Sequence, residues 1–247
     1  MIPYEILSTG SCGNATILNG NILIDCGLPF KNLTQYVQDL SLVLLTHIHS
    51  DHFNRGAIKK IAQKRPGIRW GCGKWLLQPL LDCGVSRRVI DVYEMGRAYD
   101  YGQVKVEPFF LIHNVDNCGY KVIFKDCKVV YATDTSSLTG IVAKNYDLYL
   151  IEANYTDEDI ERRIREKQKR GEYAYEVEAR RHHLSQSRCD DWLYQNMGSQ
   201  SRYVYMHQHR NNDDELMEDK TEDGSEDQTR GLEEGSCVQA ERTDGED

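Results

Sequence analysis

Residues 46–52 of this chain read Thr-His-Ile-His-Ser-Asp-His, directly after the apolar run Leu42-Val43-Leu44-Leu45. Four potential metal ligands, His47, His49, Asp51 and His52, thus fall within six residues at the mouth of a buried strand. Neutral imidazole and carboxylate are ligands that suit zinc, manganese or iron. A strand alone presents only every second side chain on one face. His47 and His49 can share that face, while the turn after them swings Asp51 and His52 to a second position. The spacing therefore predicts two adjacent metal sites. Two-metal centres are a standard device for attacking phosphate esters and other hydrolysable bonds. The competing interpretation, a polar loop with surface histidines, requires four coordinating residues to cluster after an aliphatic strand by accident.

The surrounding pattern is that of a mixed α/β chain. Short strands are predicted at Tyr4–Ser8, Ala15–Leu18 and Asn21–Ile24, with Asn19-Gly20 as a two-residue hairpin turn. Lys31–Leu40 reads as an amphipathic helix, Leu42–Leu45 as the strand before the metal motif, and Arg55–Lys64 as a helix stopped before Pro66-Gly67. Ile68–Gly71 follows as a strand and Lys74–Asp82 as a helix. Val89–Tyr93, Ala98–Tyr101, Val104–Leu111, Tyr120–Phe124, Val129–Ala132 and Leu148–Ile151 read as further strands. Thr156–Arg170 is a charged helix with acids in its first turn, as the helix dipole favours. Ser185–Gln195 reads as a helix and Tyr203–Met206 as a last strand. Two sheets with helices outside are the architecture this order favours.

Charge divides the chain. The net charge of −9 is concentrated beyond Asn211, where fifteen Asp and Glu face only Lys220, Arg230 and Arg242. Without that stretch 24 acidic and 27 basic residues remain, a body of +3 that tolerates an anionic substrate. Aliphatic residues almost vanish there, so residues 211–247 are expected to be an acidic disordered tail and residues 1–210 the folded domain. The eight cysteines include no CxxC pair, and neither a signal peptide nor a membrane-spanning run is expected. A reduced, cytoplasmic protein with mostly buried structural cysteines is expected, without membrane association.

Other segments carry a resemblance. Ser8-Thr9-Gly10-Ser11-Cys12-Gly13-Asn14-Ala15 is a Gly/Ser-rich opening loop, and Leu23-Ile24-Asp25-Cys26-Gly27 holds an Asp-x-Gly turn. His113 follows a strand, Asp134 ends another in Tyr-Ala-Thr-Asp-Thr, and His182-His183-Leu184-Ser185 comes later. With the motif at 47–52, and in this order, the chain resembles the metallo-β-lactamase superfamily of metal-dependent hydrolases. Within it the chain is similar to the small YycJ/WalJ-type proteins, described as DNA exonucleases. The resemblance covers roughly residues 4–212. It implies an αββα sandwich of two mixed sheets with helices outside. It also implies two divalent metal ions, zinc or manganese.

The resemblance assigns His47, His49 and His113 to one ion and Asp51, His52 and His207 to the other, with Asp134 bridging. Asp25 would orient the metal motif. His209 competes with His207 for the late position, and His182 with His183. His183 resembles a histidine that in related phosphodiesterases such as RNase Z contacts the scissile phosphate and helps the leaving group. Glu152-Ala153-Asn154-Tyr155 resembles a strand-end segment and reads as scaffold beside the site. Two cations bring a bridging water toward hydroxide at neutral pH and offset charge on phosphate oxygens. Asp51 could take the water's proton, and an imidazole can protonate the leaving oxygen.

The expected activity is that of a two-metal phosphodiesterase acting on DNA, a 5′-to-3′ exonuclease with a metal-bridged hydroxide. The alternatives are a small-molecule metallo-hydrolase, such as a cyclic-nucleotide phosphodiesterase, lactonase or thioesterase, and a metal-binding adaptor. Arg162, Arg163, Arg165, Lys167, Lys169, Arg170, Arg180 and Arg181 form a basic run that reads either as a phosphate contact or as a solvated helix face. Tyr173 and Tyr175 could stack on bases. Asp134 and His207 lie only 73 positions apart, which leaves no room for a large inserted domain and favours an open cleft for DNA ends.

Overall fold

The structure, a computed structural model, describes residues 2–208. The acidic stretch expected at 211–247, with Cys237 and His209, lies outside the described residues. Two six-stranded mixed sheets face each other. The first runs in sequence order through β1 (Tyr4–Ser8), β2 (Ala15–Leu18), β3 (Ile22–Ile24), β4 (Leu42–Leu45), β5 (Arg69–Gly73) and β6 (Ile90–Tyr93). The second holds β7 (Tyr99–Asp100), β8 (Val104–Leu111), β9 (Asn117–Phe124), β10 (Lys128–Ala132), β11 (Leu148–Glu152) and β12 (Arg202–Met206), also in sequence order. Each sheet begins with antiparallel meanders and turns parallel in its later strands.

Strand alternation explains why the central strands are apolar throughout. In β4, Leu42 and Leu44 point into the core between the sheets, where they meet Val106, Tyr120, Val129 and Leu150. Val43 and Leu45 point the other way, against α2 (Arg55–Lys64) and α3 (Leu77–Asp82) through Ile58, Ile61 and Leu80. β11 does the same for the second sheet: Leu148 and Leu150 face inward, while Tyr149 and Ile151 meet Cys189, Trp192 and Leu193 of α6 (Gln186–Asn196). A strand covered on both faces has no polar side, so a continuous aliphatic run is its signature. The result is four layers, helix, sheet, sheet, helix, as the sequence implies.

Local departures have local causes. The expected helix Lys31–Leu40 is only α1 (Phe30–Leu33), continued by turns. Asn32 N bonds Pro29 O, Tyr36 N bonds Leu33 O, and the Thr34 hydroxyl donates to Phe30 O. These short-range bonds satisfy groups a longer helix would have needed. Leu33, Val37 and Leu40 are nevertheless buried, as the amphipathic pattern requires. The expected helix over 74–82 opens with a 3₁₀ turn, Lys74–Leu76, before α3. Ala98–Tyr101 pairs only at Tyr99–Asp100, and β9 begins three residues early at Asn117. α4 (Asp157–Arg170) is capped by the Thr156 hydroxyl and α6 by the Ser185 hydroxyl. Between them lies α5 (Glu176–His182), a helix that has no apolar stripe to announce it. The Asn19-Gly20 turn has positive φ at both residues, 50° and 70°, as a tight hairpin needs.

Seven cysteines are described, all free, with only Cys12 exposed. Among the described residues no helix is long and apolar enough to cross a membrane.

The end of the sandwich that carries the metal motif is tied by backbone. Cys26 N donates to His52 O, Asn54 N to Cys26 O, Asn14 N to Asp51 O and Gly27 N to Asn14 O. Gly27 lies so close to Asp51 that a Cβ there would overlap the Asp51 carbonyl. Gly27→Ala should therefore cost more than about 3 kcal/mol, in the upper tail of single substitutions. Gly67→Ala, where a Cβ meets open space, should stay within about 0.5 kcal/mol of the parent. Urea unfolding of the two variants side by side checks the contrast.

Candidate metal centre

β4 ends at Leu45, and the seven residues after it, 46–52, form a loop whose last turn closes through His52 N and Phe53 N on His49 O. Asp25 anchors this loop from the end of β3. Its carboxylate is fully buried and accepts from Thr46 N at 2.9 Å, from the Thr46 hydroxyl at 2.9 Å, from His52 Nδ1 at 2.7 Å and from the Tyr131 hydroxyl at 3.2 Å. Four donors from both sheets converge on one side chain. Each bond also fixes a neighbour: with Nδ1 of His52 given to Asp25, Nε2 is the nitrogen that points into the site.

The same logic sets the other imidazoles. His47 Nδ1 lies 3.0 Å from the Thr46 hydroxyl, and His113 Nδ1 lies 3.1 Å from His182 O. Both leave Nε2 bare and facing inward. His47 Nε2 then stands 3.1 Å from His49 Nδ1, and His113 Nε2 stands 3.3 Å from the same atom. Three ring nitrogens converge, with too few protons to bridge them. Burial, with the neighbouring histidines, pushes the His47 imidazole well down and His113 down to about 4. Protons are disfavoured where lone pairs are gathered, which is the condition a divalent cation needs.

The second group is richer in carboxylate. Asp51, His52 and His207 bring ligand atoms within 4.8 Å of one another. His52 Nε2 is 2.9 Å from Asp134 Oδ2 and 3.5 Å from Asp51 Oδ2. His207 Nε2 is 3.9 Å from Asp51 Oδ2. Burial acts to lower His52, yet Asp134 and Asp25 carry it well above the ordinary imidazole range. Burial likewise opposes protonation of His207, but Asp134 and Glu152 raise it to about 9. For Asp134, burial is outweighed by His207 and His52, which hold its carboxyl well below the usual range. This half of the site attracts positive charge.

Asp134 stands between the halves. It groups with His47 of the first set and His52 of the second. Its Oδ2 is buried with His52 Nε2 at 2.9 Å but makes no aligned hydrogen bond among the described residues, and its Oδ1 lies 3.3 Å from His207 Nδ1 and 3.9 Å from His113 Nε2. A buried carboxylate oxygen without an aligned donor is costly unless a cation meets it. The donor sets therefore fit two divalent cations: His47, His49 and His113 could hold one, Asp51, His52 and His207 the other, with Asp134 shared.

Two further residues belong here whose parts sequence reading did not resolve. Glu152, read as scaffold, ends β11 fully buried and takes His183 Nδ1 at 2.6 Å, His207 Nδ1 at 3.1 Å and Thr135 N at 2.7 Å. Asn14, in the opening loop, is fully buried. It accepts from Gly10 N at 2.9 Å and sets its amide nitrogen 2.8 Å from His52 Nε2 and 3.3 Å from Asp51 Oδ2. The available signals were a glutamate closing an aliphatic strand and an Asn directly after a glycine. Of the paired histidines, His183 enters the cluster, its ring 5.3 Å from His113 and 5.1 Å from His207. His182 contributes its backbone carbonyl and pairs its ring with Glu178.

The basic run stays mostly outside this chemistry. Arg162 pairs with Asp159 and Glu166, Arg163 with Asp159, Arg165 with Glu161, Lys167 with Glu176, Arg170 with Glu172 and Arg181 with Glu178. The i,i+3 and i,i+4 pairs of Arg162, Arg165 and Arg181 lie on a solvated face, whereas Arg163 and Glu176 are buried. Lys167 also lies over the Tyr175 ring at 3.9 Å.

Comparison with known proteins agrees with this architecture. A family model described as a β-lactamase superfamily domain matches residues 20–207. The exodeoxyribonuclease WalJ of Streptococcus pneumoniae is 28% identical over 226 residues, spanning 82% of this chain and 80% of that protein. The exodeoxyribonuclease YycJ of Bacillus anthracis is 24% identical over 170 residues, 62% of this chain and 63% of that one. Two solved structures share the fold. The metallo-β-lactamase fold protein YhfI from Bacillus subtilis superposes with a TM-score of 0.63 at 16% identity, covering 89% of this chain and 92% of its own. The short form of human tRNase Z gives 0.64 at 18% identity, covering 84% and 93%.

If Asp25 and Glu152 orient ligands, Asp25→Asn and Glu152→Gln should each weaken zinc or manganese affinity by about 10–100-fold. Calorimetric titration with either metal measures this. Saturating metal should raise the thermal midpoint of the parent, and a chelator should reverse the gain.

Proposed function

The chain belongs to the metallo-β-lactamase superfamily, and from that membership we propose that it is a two-metal phosphodiesterase that degrades DNA from its ends in the 5′-to-3′ direction. One observation carries the reading. Two ligand groups flank a shared, buried Asp134, and a histidine backed by a buried glutamate stands beside them. DNA as the substrate draws on the exodeoxyribonuclease names of the relatives, and the direction on the likeness to YycJ/WalJ-type proteins. Residues 1–210 are taken as the hydrolase unit.

Two divalent cations bound there would make water acidic enough to attack at neutral pH and would offset charge on the phosphate oxygens. The chain supplies the rest. Asp51, with 21% of its side chain exposed, is the more accessible of the two carboxylates facing the ligand nitrogens; Asp134 has 3%. It is placed to take the proton from the attacking water. His183 is 19% exposed, with Nδ1 held by Glu152, so Nε2 is the nitrogen left to face a substrate. A proton there goes to the leaving oxygen as the phosphorus–oxygen bond breaks. The buried Glu152 stabilises the charged imidazole and sets its orientation. The remaining ligands are nine-tenths or more excluded from solvent at His47, His52, Asp134 and His207, which keeps the centre preorganised.

End-labelled single- and double-stranded DNA, incubated with manganese or zinc, tests this directly. Stepwise loss from the 5′ end that disappears in Asp51→Ala is expected. His183→Ala should lower kcat by about 10²–10⁴-fold with a smaller change in KM, the range of a general acid. Metal-loaded protein that leaves DNA intact but opens cyclic nucleotides, lactones or thioesters would replace the nuclease with a small-molecule hydrolase.

A further inference from the structure

Strand β8 carries an anomaly at its site end. Its residues Val104 and Val106 point into the core between the sheets and are buried there. By alternation Phe110 shares that inward face, and in the ladder it stands opposite Cys118, also a core residue. Yet Phe110 is 64% exposed, and Ile112, of the same parity just past the strand, is 60% exposed. The inward face of the sheet thus runs out of the core and continues as an open apolar surface.

That surface adjoins the metal centre. Cys118 Sγ and the indole nitrogen of Trp75 both bond the carbonyl of Thr46, the residue before His47. The Trp75 ring lies 6.4 Å from the Phe110 ring at an interplanar angle of 30°. A side chain at Gly73 would collide with that indole, so the glycine leaves room for Trp75 to lie flat. Ile112 immediately precedes His113, and its backbone nitrogen bonds the hydroxyl of Thr135, the neighbour of Asp134. The anchored Trp75 ring, with Phe110 against it, thus flanks the loop that carries His47, and Ile112 adjoins His113 in the chain.

We infer that Phe110 and Ile112, backed by Trp75, form a platform on which a nucleobase of the DNA end stacks while its phosphate meets the metal centre. This rests on the phosphodiesterase reading and names a subsite within it. The chemistry favours a base over other occupants. The surface is three side chains wide, too small for a stable protein interface. It joins a centre built for an anion, so its ligand must be flat and apolar next to a negative group, which is the character of a nucleotide. Stacking on an aromatic face is tolerant of sequence, as degradation of arbitrary DNA requires.

The test is equilibrium binding of the full chain to fluorescent oligonucleotides followed by anisotropy. One oligonucleotide carries a normal 5′-terminal nucleotide and its twin an abasic one, each with a phosphorothioate at the first linkage to slow cleavage. The parent should bind the intact end about tenfold more tightly, within the range for one stacked base. Phe110→Ala should bind both ends alike, and Phe110→Trp should restore the preference. Because Phe110 is largely exposed, thermal unfolding of the variants should match the parent and exclude a folding defect. A parent with no preference, or a preference that survives Phe110→Ala, overturns the platform. Base-dependent binding without cleavage of unmodified DNA would remove the nuclease reading and leave the platform standing. Binding of a fluorescent fatty acyl chain that is lost in Phe110→Ala, with no binding of either oligonucleotide, would assign the surface to an apolar small substrate and overturn the nucleobase.

Discussion

The buried carboxylate of Asp25 is the constraint on which the rest of this end of the molecule depends. A carboxylate taken out of water is tolerable only if its oxygens are filled by donors. Here the donors come from the strand-end Thr46, from His52 in the metal loop and from Tyr131 in the opposite sheet. Satisfying one side chain therefore fixes where the loop begins, how an imidazole in it turns, and how the two sheets meet at this edge. The second buried carboxylate, Glu152, repeats the device from the other sheet, with His183 and His207 as its partners. The ligand cluster lies between these two anionic supports.

This arrangement separates two kinds of residue. The candidate ligands His47, His52, Asp134 and His207 and their supports Asp25 and Glu152 are inside, held by bonds whose directions determine which ring nitrogen faces the site. Asp51, His183, Phe110 and Ile112 are at the opening, where a substrate can reach them. The first set needs rigidity because metal affinity is sensitive to small misorientation of its ligands. The second needs access, and its members are fixed by neighbours instead of by burial. Trp75 shows how the two meet: its ring packs against core residues while its nitrogen bonds the carbonyl that opens the metal loop.

Much of this was legible in the sequence for definite reasons. Leu42–Leu45 and Leu148–Ile151 were readable because strands covered on both faces admit nothing polar. The His47–His52 cluster was readable because so many ligands rarely adjoin. The helix expected over 31–40 was shortened because the backbone there closes in i→i−3 bonds at Asn32, Tyr36 and Asp39, with the Thr34 hydroxyl on Phe30 O, something that periodicity does not register. α5 was missed because it has little apolar surface to bury. Asn14 escaped as a site residue because its meaning lies in an approach to Asp51 and His52, 37 and 38 positions away, which no local pattern reveals. The basic run was ambiguous because a list of arginines does not show that Asp159, Glu161, Glu166 and Glu176 stand within reach of them.

Asp25, Asp134 and His207 each close a strand, and each sits at positive φ, 59°, 57° and 52°. This left-handed region costs every L residue with a side chain, Asn, Asp and His less than most and glycine least. At these positions the main chain would be better served by glycine, and only the chemistry of the side chain holds the polar residue in place. Three strand ends thus carry strain that a purely structural protein of the same shape would have no reason to keep. A descendant freed from its reaction would be expected to relax there first, gaining local backbone comfort at the positions where it gives up its metals.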